Sequence, residues 1–178
     1  MVVSGVDEDQ LVGLAPGPLA AALSGLKATA VAALDTLPLD ALVLGCDSVL
    51  ELDGRALGKP GTADVATARW RQMRGRVGVL HTGHTLIDTA SGASVSELAS
   101  TRVHFAEVSD AEIEAYVATG EPLWVAGAFT IDGYGGAFVD RIEGDHHNVI
   151  GLSLPLVRRM VAALGGQWTS LWNAPPAE

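Results

Sequence analysis

The first side chain that could do chemistry is Asp47, which follows an apolar run over residues 41–46. A short run rich in Val and Leu predicts a strand. We expect that strand to carry the carboxylate to an edge of a sheet, where α/β proteins usually bind ligands. A carboxylate within hydrogen-bonding reach of a water molecule can act as a general base. The spacing alone fits an aspartate that caps a turn equally well, so both interpretations stay open.

Lysine is rare in this acidic chain, which makes Lys27 and Lys59 the next candidates. Twenty-one acidic residues outnumber eleven basic ones, and nine of those eleven are arginine. A lysine ammonium is a compact point charge that suits phosphate oxygens. Lys59 follows a predicted hairpin. Lys27 lies in a predicted helix, where a lysine that covers apolar surface and keeps its charge in water is the simpler interpretation.

The histidines and the single cysteine form no recognisable metal or nucleophile motif. His81 and His84 are spaced for opposite faces of a strand, and no further His/Cys ligand set accompanies them. We expect His146 and His147 to be solvated or to pack within a loop. Cys46 is expected to act as a small buried hydrophobe.

Composition limits the class of protein. The 178 residues fit one domain, and 48% hydrophobic residues exclude general disorder. The net charge of −10 argues against broad binding to nucleic acid or to an anionic membrane. One cysteine allows no intramolecular disulfide, and residues 1–10 are acidic where a signal peptide is basic. The longest apolar stretch contains two prolines and is shorter than the roughly 20 residues of a membrane helix. We therefore expect a cytoplasmic protein.

Helical and strand patterns alternate along the chain, which predicts an α/β domain over residues 1–172 and a frayed tail over 173–178. Several hairpins favour a mixed sheet over an all-parallel one. Residues 126–144 are glycine-rich and predict turns around a short strand, and residues 144–151 predict a loop. The local signals are Pro18 in a helix start, the turn pair Asp53 and Gly54, Thr62 as a helix cap, and a capping box at Ser109. Together with the apolar patterns, these signals predict helices over 19–37, 63–73, 110–119 and 152–164, and strands over 41–52, 77–87 and 99–108.

Short segments along the chain together resemble a known family. In order they lie at residues 4–8, 26–28, 45–49, 57–60, 82–83, 101–105, 115–122, 126–129 and 148–152. No single segment is decisive, but the series in register over roughly residues 4–164 is similar to the Maf family of nucleoside triphosphate pyrophosphatases.

The resemblance implies a Maf/ITPase-like fold, an elongated mixed sheet flanked by helices, and a homodimer. It implies cleavage of a nucleoside triphosphate between the α and β phosphates, giving the monophosphate and pyrophosphate, with Mg²⁺ or Mn²⁺ as the divalent metal. Asp47 matches the general base, and Glu8 matches a second acid that would hold metal or water with it. Lys27 and Lys59 match positions that contact phosphate oxygens. Arg76 matches a further basic position, assigned here to substrate binding.

Two departures from the family pattern concern the substrate. Members usually open with a strand and a Ser-x-Ser-Pro-Arg-Arg loop that grips the triphosphate, and we expect both to be absent from this chain. Members acting on dTTP and UTP carry Ile-Gln-Gly where this chain has Asp132 between Ile131 and Gly133. A carboxylate only accepts hydrogen bonds whereas an amide also donates, so the base edge that can pair must change. Ser48 replaces the usual threonine. The preferred base stays open.

Three functions follow as hypotheses. The first is a nucleoside triphosphate pyrophosphatase that removes unwanted nucleotides and has a possible link to cell division. The second is a non-catalytic nucleotide-binding or division-regulating protein that keeps the fold but lacks the phosphate loop. The third is a metal-dependent phosphohydrolase, which would release free phosphate and no pyrophosphate.

Overall fold

The computed structural model describes residues 2–7, 11 and 13–172 of the chain. Glu8 and the tail expected to fray lie outside these residues. None of the described helices combines the length and the apolar character needed to cross a bilayer.

In the described part of the chain, one five-stranded sheet forms the centre of the fold, and five helices and several short 3-10 turns pack around it. The strands are β1 (Leu42–Leu52), β2 (Arg55–Leu57), β3 (Val77–Asp88), β4 (Ser94–Phe105) and β5 (Val139–Glu143); the helices are α1 (Pro16–Ala32), α2 (Ala63–Met73), α3 (Asp110–Ala118), α4 (His146–Ile150) and α5 (Leu154–Ala163). The strands lie in the order β2-β1-β3-β4-β5. The predicted α/β class, with helices flanking a sheet, is confirmed.

The pairings between the described strands are all antiparallel, which differs from the mixed sheet expected. Two of them, β1 with β2 and β3 with β4, are hairpins, and a short hairpin connection can only join antiparallel strands. Asp53 and Gly54 turn the first hairpin with φ angles of 52° and 74°, the left-handed conformation that this residue pair adopts most readily.

Helix boundaries follow local capping chemistry more closely than apolar pattern. The Ser109 hydroxyl and the Glu112 carboxylate form the predicted capping box of α3. The Thr62 hydroxyl accepts from the Val65 N–H at the start of α2. Helix α1 starts and ends earlier than predicted. The loop predicted over residues 144–151 is wrong, because Asp145 caps the short helix α4 and Gly151 ends it at φ 115°.

Helix α1 packs directly against the backbone of β1 and β3. A Cβ atom added to Gly83 would lie 2.2 Å from the Ala20 carbonyl oxygen, and one added to Gly45 would lie 2.4 Å from the Ser24 carbonyl oxygen. Contacts below 3.0 Å do not occur for real Cβ atoms. Glycine at these two positions therefore allows the backbone of α1 to lie this close to the sheet. This distance determines how far the α1 side chains extend above β1.

The opposite face of the sheet carries a large aromatic core. Trp70 on α2 is fully buried and meets three other rings edge to face, those of Phe105, Tyr116 and Phe138. Its indole N–H donates to the Ala128 carbonyl oxygen at 2.7 Å. The core thereby anchors the 3-10 turn Ala126–Ala128, which is one wall of the cleft described next.

Candidate active site

A cleft of about 290 Å³ lies along the free side of β1. Strand β2 pairs only with residues 50–52 of β1, so residues 42–49 have β3 as their one partner among the described strands. Among the described residues, four charged side chains line the cleft, those of Lys27, Asp47, Lys59 and Asp132, together with apolar side chains that include Phe129. Charge beside an apolar wall suits a ligand with an anionic part and a flat, less polar part.

Asp47 and Lys27 form an ion pair at one side of this cleft. Asp47 lies in the middle of β1, opposite Gly83 of β3. The strand therefore presents the carboxylate at the lateral edge of the sheet and not at the end of the strand. The Lys27 ammonium donates to Asp47 Oδ1 at 2.5 Å, and the two side chains are 20% and 12% exposed. The close approach of α1 at Gly45 brings these two side chains together.

Lys59 and Ser48 line the same cleft from other directions. Lys59 follows β2, and the neighbouring Gly58 carbonyl accepts from the Gly127 N–H at 3.2 Å, which ties this segment to the cleft wall. Neighbouring strand residues point to opposite faces, so Ser48 lies on the face opposite Asp47, where its hydroxyl is 2.9 Å from that of Thr82. The cleft thus wraps around the edge of β1.

Of the remaining predicted site residues, Asp132 lines the cleft and Arg76 lies outside it. Asp132 is exposed and lies in the loop 130–135. Arg76 pairs with Asp53 at the β1–β2 hairpin and donates to the Gln72 carbonyl. Asp53 is six residues beyond Asp47 along the strand direction, roughly 20 Å at the usual strand rise. Glu8 lies outside the described residues.

Glu121, which binds the cleft-lining Thr130, is a residue that sequence reasoning missed. Its Oε1 accepts from the Tyr116 hydroxyl at 2.8 Å, the Thr130 hydroxyl at 2.6 Å and the Gly135 N–H at 3.0 Å; its Oε2 accepts from the Tyr134 N–H at 2.9 Å. Burial acts to raise the pKa of Glu121, but these hydrogen bonds together hold it at about 2. The available signal was a carboxylate directly after Gly120, which ends α3 at φ 78°.

Cys46 is partly buried and lines the cleft, whereas His84 on β3 is fully buried. Burial, and then the neighbouring Asp47, raises the pKa of the Cys46 thiol to about 11, so the thiol stays protonated and weakly nucleophilic. Burial lowers the pKa of His84. The His84 Nε2 accepts from the Ser153 N–H at 2.9 Å, which joins β3 to the start of α5. No group of three or more His, Cys, Asp or Glu side chains within the described ranges is arranged to hold a metal ion.

Comparison with known proteins finds relatives of this chain along almost its whole length. The family model described as Maf-like protein matches residues 1–164. A nucleoside triphosphate pyrophosphatase of Streptomyces coelicolor is 60% identical over all of this chain and 85% of its own length. One of Streptomyces avermitilis is 58% identical over 97% of this chain and 84% of its own. A nucleoside triphosphate pyrophosphatase/Nudix hydrolase fusion protein of Bifidobacterium longum is 48% identical over 90% of this chain and 32% of its own.

The family match extends from the α1 side of the cleft to the end of α5 and includes every cleft residue discussed above. With that coverage, and with identities of 58% and 60% to two relatives over nearly the whole chain, this chain belongs to the Maf family.

Proposed function

We propose that this protein is a nucleoside triphosphate pyrophosphatase, which hydrolyses the bond between the α and β phosphates. Relatives 50% to 60% identical to it carry that name. The observation that carries the proposal is that one cleft gathers Asp47 and both lysines of the described chain beside an apolar wall. The products would be a nucleoside monophosphate and pyrophosphate.

In this proposal Asp47 accepts a proton from the attacking water. The water oxygen bonds to the α phosphorus, the bond to the bridging oxygen breaks, and pyrophosphate leaves with the electron pair. A positioned general base contributes about 10²- to 10⁴-fold to such a step. Lys27 orients the Asp47 carboxylate through their ion pair. Lys27 and Lys59 supply positive charge where the phosphates accumulate negative charge, which stabilises the transition state.

A divalent cation, Mg²⁺ or Mn²⁺, is part of the proposal, and the donor set fits it. Magnesium is usually held by one or two carboxylates together with substrate phosphates, without a complete protein cage. Among the described residues the cleft offers the carboxylates of Asp47 and Asp132 and no cluster of three ligands, and Glu8 is the ligand that the family resemblance implies beside Asp47. When bound, the cation would neutralise phosphate charge and acidify a water molecule.

We further propose that Asp132 contributes to base selection. Its carboxylate accepts hydrogen bonds and donates none. Cytosine, adenine and guanine each present an amino group that can donate to it, whereas uracil and thymine present carbonyl oxygens on both sides of their one N–H. The cleft should therefore favour CTP, ATP or GTP over UTP. Arg76, distant from the cleft, keeps only the role implied by the family resemblance. A cytoplasmic homodimer is likewise part of the proposal.

Product analysis tests the reaction. The purified chain is incubated with Mg²⁺ or Mn²⁺ and each common nucleoside triphosphate, and products are separated by anion exchange. Monophosphate with an equal amount of pyrophosphate is expected. Diphosphate with free phosphate would contradict the proposal, and saturable binding without turnover would favour the non-catalytic binder. In Asp132→Asn the preference for CTP, ATP or GTP over UTP should fall about tenfold, the loss of roughly one hydrogen bond to a charged group.

A further inference from the structure

The loop 130–135 is folded around the Glu121 side chain. Three of the four groups that donate to this carboxylate come from the loop itself, namely the Thr130 hydroxyl and the N–H groups of Tyr134 and Gly135. The fourth donor is the Tyr116 hydroxyl on α3, which also accepts from the Thr130 N–H at 3.3 Å. Glu121 thus connects the loop to the helix beneath it.

The loop backbone leaves no space between itself and this carboxylate. A Cβ atom at Gly133 would lie 2.5 Å from Glu121 Oε2, and one at Gly135 would lie 2.4 Å from the Tyr116 hydroxyl. A side chain at either position would therefore displace the Glu121 carboxylate or the Tyr116 hydroxyl from its present place. Asp132 lies between these contacts, and Thr130 and Asp132 both line the cleft.

We propose that Glu121 is a positioning residue for nucleotide recognition, which holds the 130–135 loop so that Thr130 and Asp132 face the substrate in one fixed arrangement. The inference rests on the proposed function, because it concerns the same cleft. Glu121 itself does not line the cleft. Glu121 affects substrate binding and base selection. Lys27 and Asp47 act on the reacting phosphates and the attacking water.

The charge of Glu121 is matched to this task. Three donors share Oε1 and one meets Oε2, and each is an N–H or O–H that prefers an anionic acceptor. A glutamine in its place would present an NH₂ group to some of these donors, and an NH₂ group cannot accept a hydrogen bond. The side-chain volume would be kept while the loop lost its anchor.

The test compares Glu121→Gln with Glu114→Gln, which removes the same charge from an exposed position of α3. For the favoured nucleotide, Glu121→Gln is expected to raise KM about tenfold with kcat changed less than about threefold, the pattern of lost binding without lost chemistry. The ratio of kcat/KM between the best and worst bases should fall. Glu114→Gln should match the wild type in all three quantities.

A purely structural role gives a different pattern. Fewer folded molecules would lower the apparent kcat and leave KM and the base ratio unchanged, and that result would overturn the proposal. If Glu121→Gln does not fold, Tyr116→Phe is used, because it removes one donor and keeps the ring. It should raise KM by a smaller factor in the same direction, and an unchanged KM would also overturn the proposal.

The outcome is separable from that of the proposed function. Wild-type turnover is measured first, and absence of pyrophosphate from every nucleotide would overturn the function itself. With an active wild type, hydrogen exchange then reports on the loop directly. The Tyr134 and Gly135 amides should exchange faster in Glu121→Gln than in Glu114→Gln, and equal exchange would contradict the positioning role.

Discussion

The two sides of the cleft are held by different kinds of interaction. On the strand side, Lys27 and Asp47 lie on a regular helix and a regular strand whose backbones touch at Gly45 and Gly83. On the loop side, residues 130–135 have no regular structure beyond one 3-10 turn and are organised by the Glu121 carboxylate. The strand side is thus fixed by steric fit and the loop side by hydrogen bonds to one anion.

This difference separates two kinds of precision. Groups that contact reacting atoms need placement within a fraction of an ångström, which packed regular elements provide. Groups that choose between bases can lie on a loop held by a single polar side chain. A change in the hydrogen bonds of such a loop alters base recognition without disturbing the sheet. The following predictions test whether chemistry and recognition are separable in this way.

The largest effect is expected on the strand side, from Asp47→Asn. The amide keeps the shape of the side chain but is a far weaker base, so kcat should fall by about 10²- to 10⁴-fold. Steady-state kinetics with the favoured nucleotide measure it. Asp140→Asn, an exposed change of the same charge on β5, is the control. A kcat for Asp47→Asn close to that of the control would remove Asp47 from the mechanism.

A smaller but clear effect on stability is expected from Gly83→Ala. The new methyl group would overlap the Ala20 backbone of α1, and overpacking of this kind costs about 1–3 kcal/mol of unfolding free energy. Gly25→Ala, a change on α1 itself, is the matched control, since its Cβ would lie at an ordinary contact distance of 3.8 Å from the Thr85 hydroxyl. It should stabilise by about 0.5–1 kcal/mol through helix propensity. Denaturant unfolding measures both, and equal midpoints would refute the steric account of the strand side.

The smallest effect is a pH dependence on the loop side. The pKa of Glu121 is about 2 in the folded protein, below its ordinary value of 4.5. The unfolded chain therefore binds the proton first as pH falls, and the stabilisation is complete above about pH 4.5 and is lost as pH falls towards 2. Tyr116, the titratable group facing Glu121, has a raised pKa and stays neutral over this range.

Unfolding at a series of pH values measures this effect by comparing the wild type with Glu121→Gln. The difference in unfolding free energy should be constant from pH 7 to about 5 and then shrink with acidification. Other carboxylates titrate in both proteins and cancel in the comparison. A difference that stays constant down to pH 3 would contradict the anchoring charge on the loop side.

Local sequence signals predicted much of the strand side. The apolar run before Asp47, the turn at Asp53 and the cap at Thr62 act within a few residues, so the sequence alone defines β1, its hairpin and α2. The scarcity of lysine drew attention to Lys27 and Lys59, which the structure brings to one cleft. Their catalytic roles stay predictions.

Non-local contacts explain what the sequence could not predict. Glu121 lies in the family-like segment 115–122, but nothing in that segment except Gly120 indicates its contacts, and its role depends on donors up to fourteen residues away. Helix α4 has five residues, too few to show a helical repeat. β1 and β3 pair antiparallel although β2 and α2 lie between them in the chain. This pairing depends on the topology of the whole sheet, and no local pattern in either strand indicates it.

The indole of Trp70 gives the protein an internal optical reporter. It is fully buried among aromatic rings, and its N–H is bound to Ala128 beside the cleft, whereas Trp124 and Trp172 are 68% and 61% exposed and Trp168 is partly buried. A shielded indole emits at shorter wavelength than one in water, so Trp70 contributes at the short-wavelength side of the emission. Nucleotide entry that shifts the Ala126–Ala128 turn would change the short-wavelength emission. Ligand occupancy could then be followed in the unlabelled, unmodified protein.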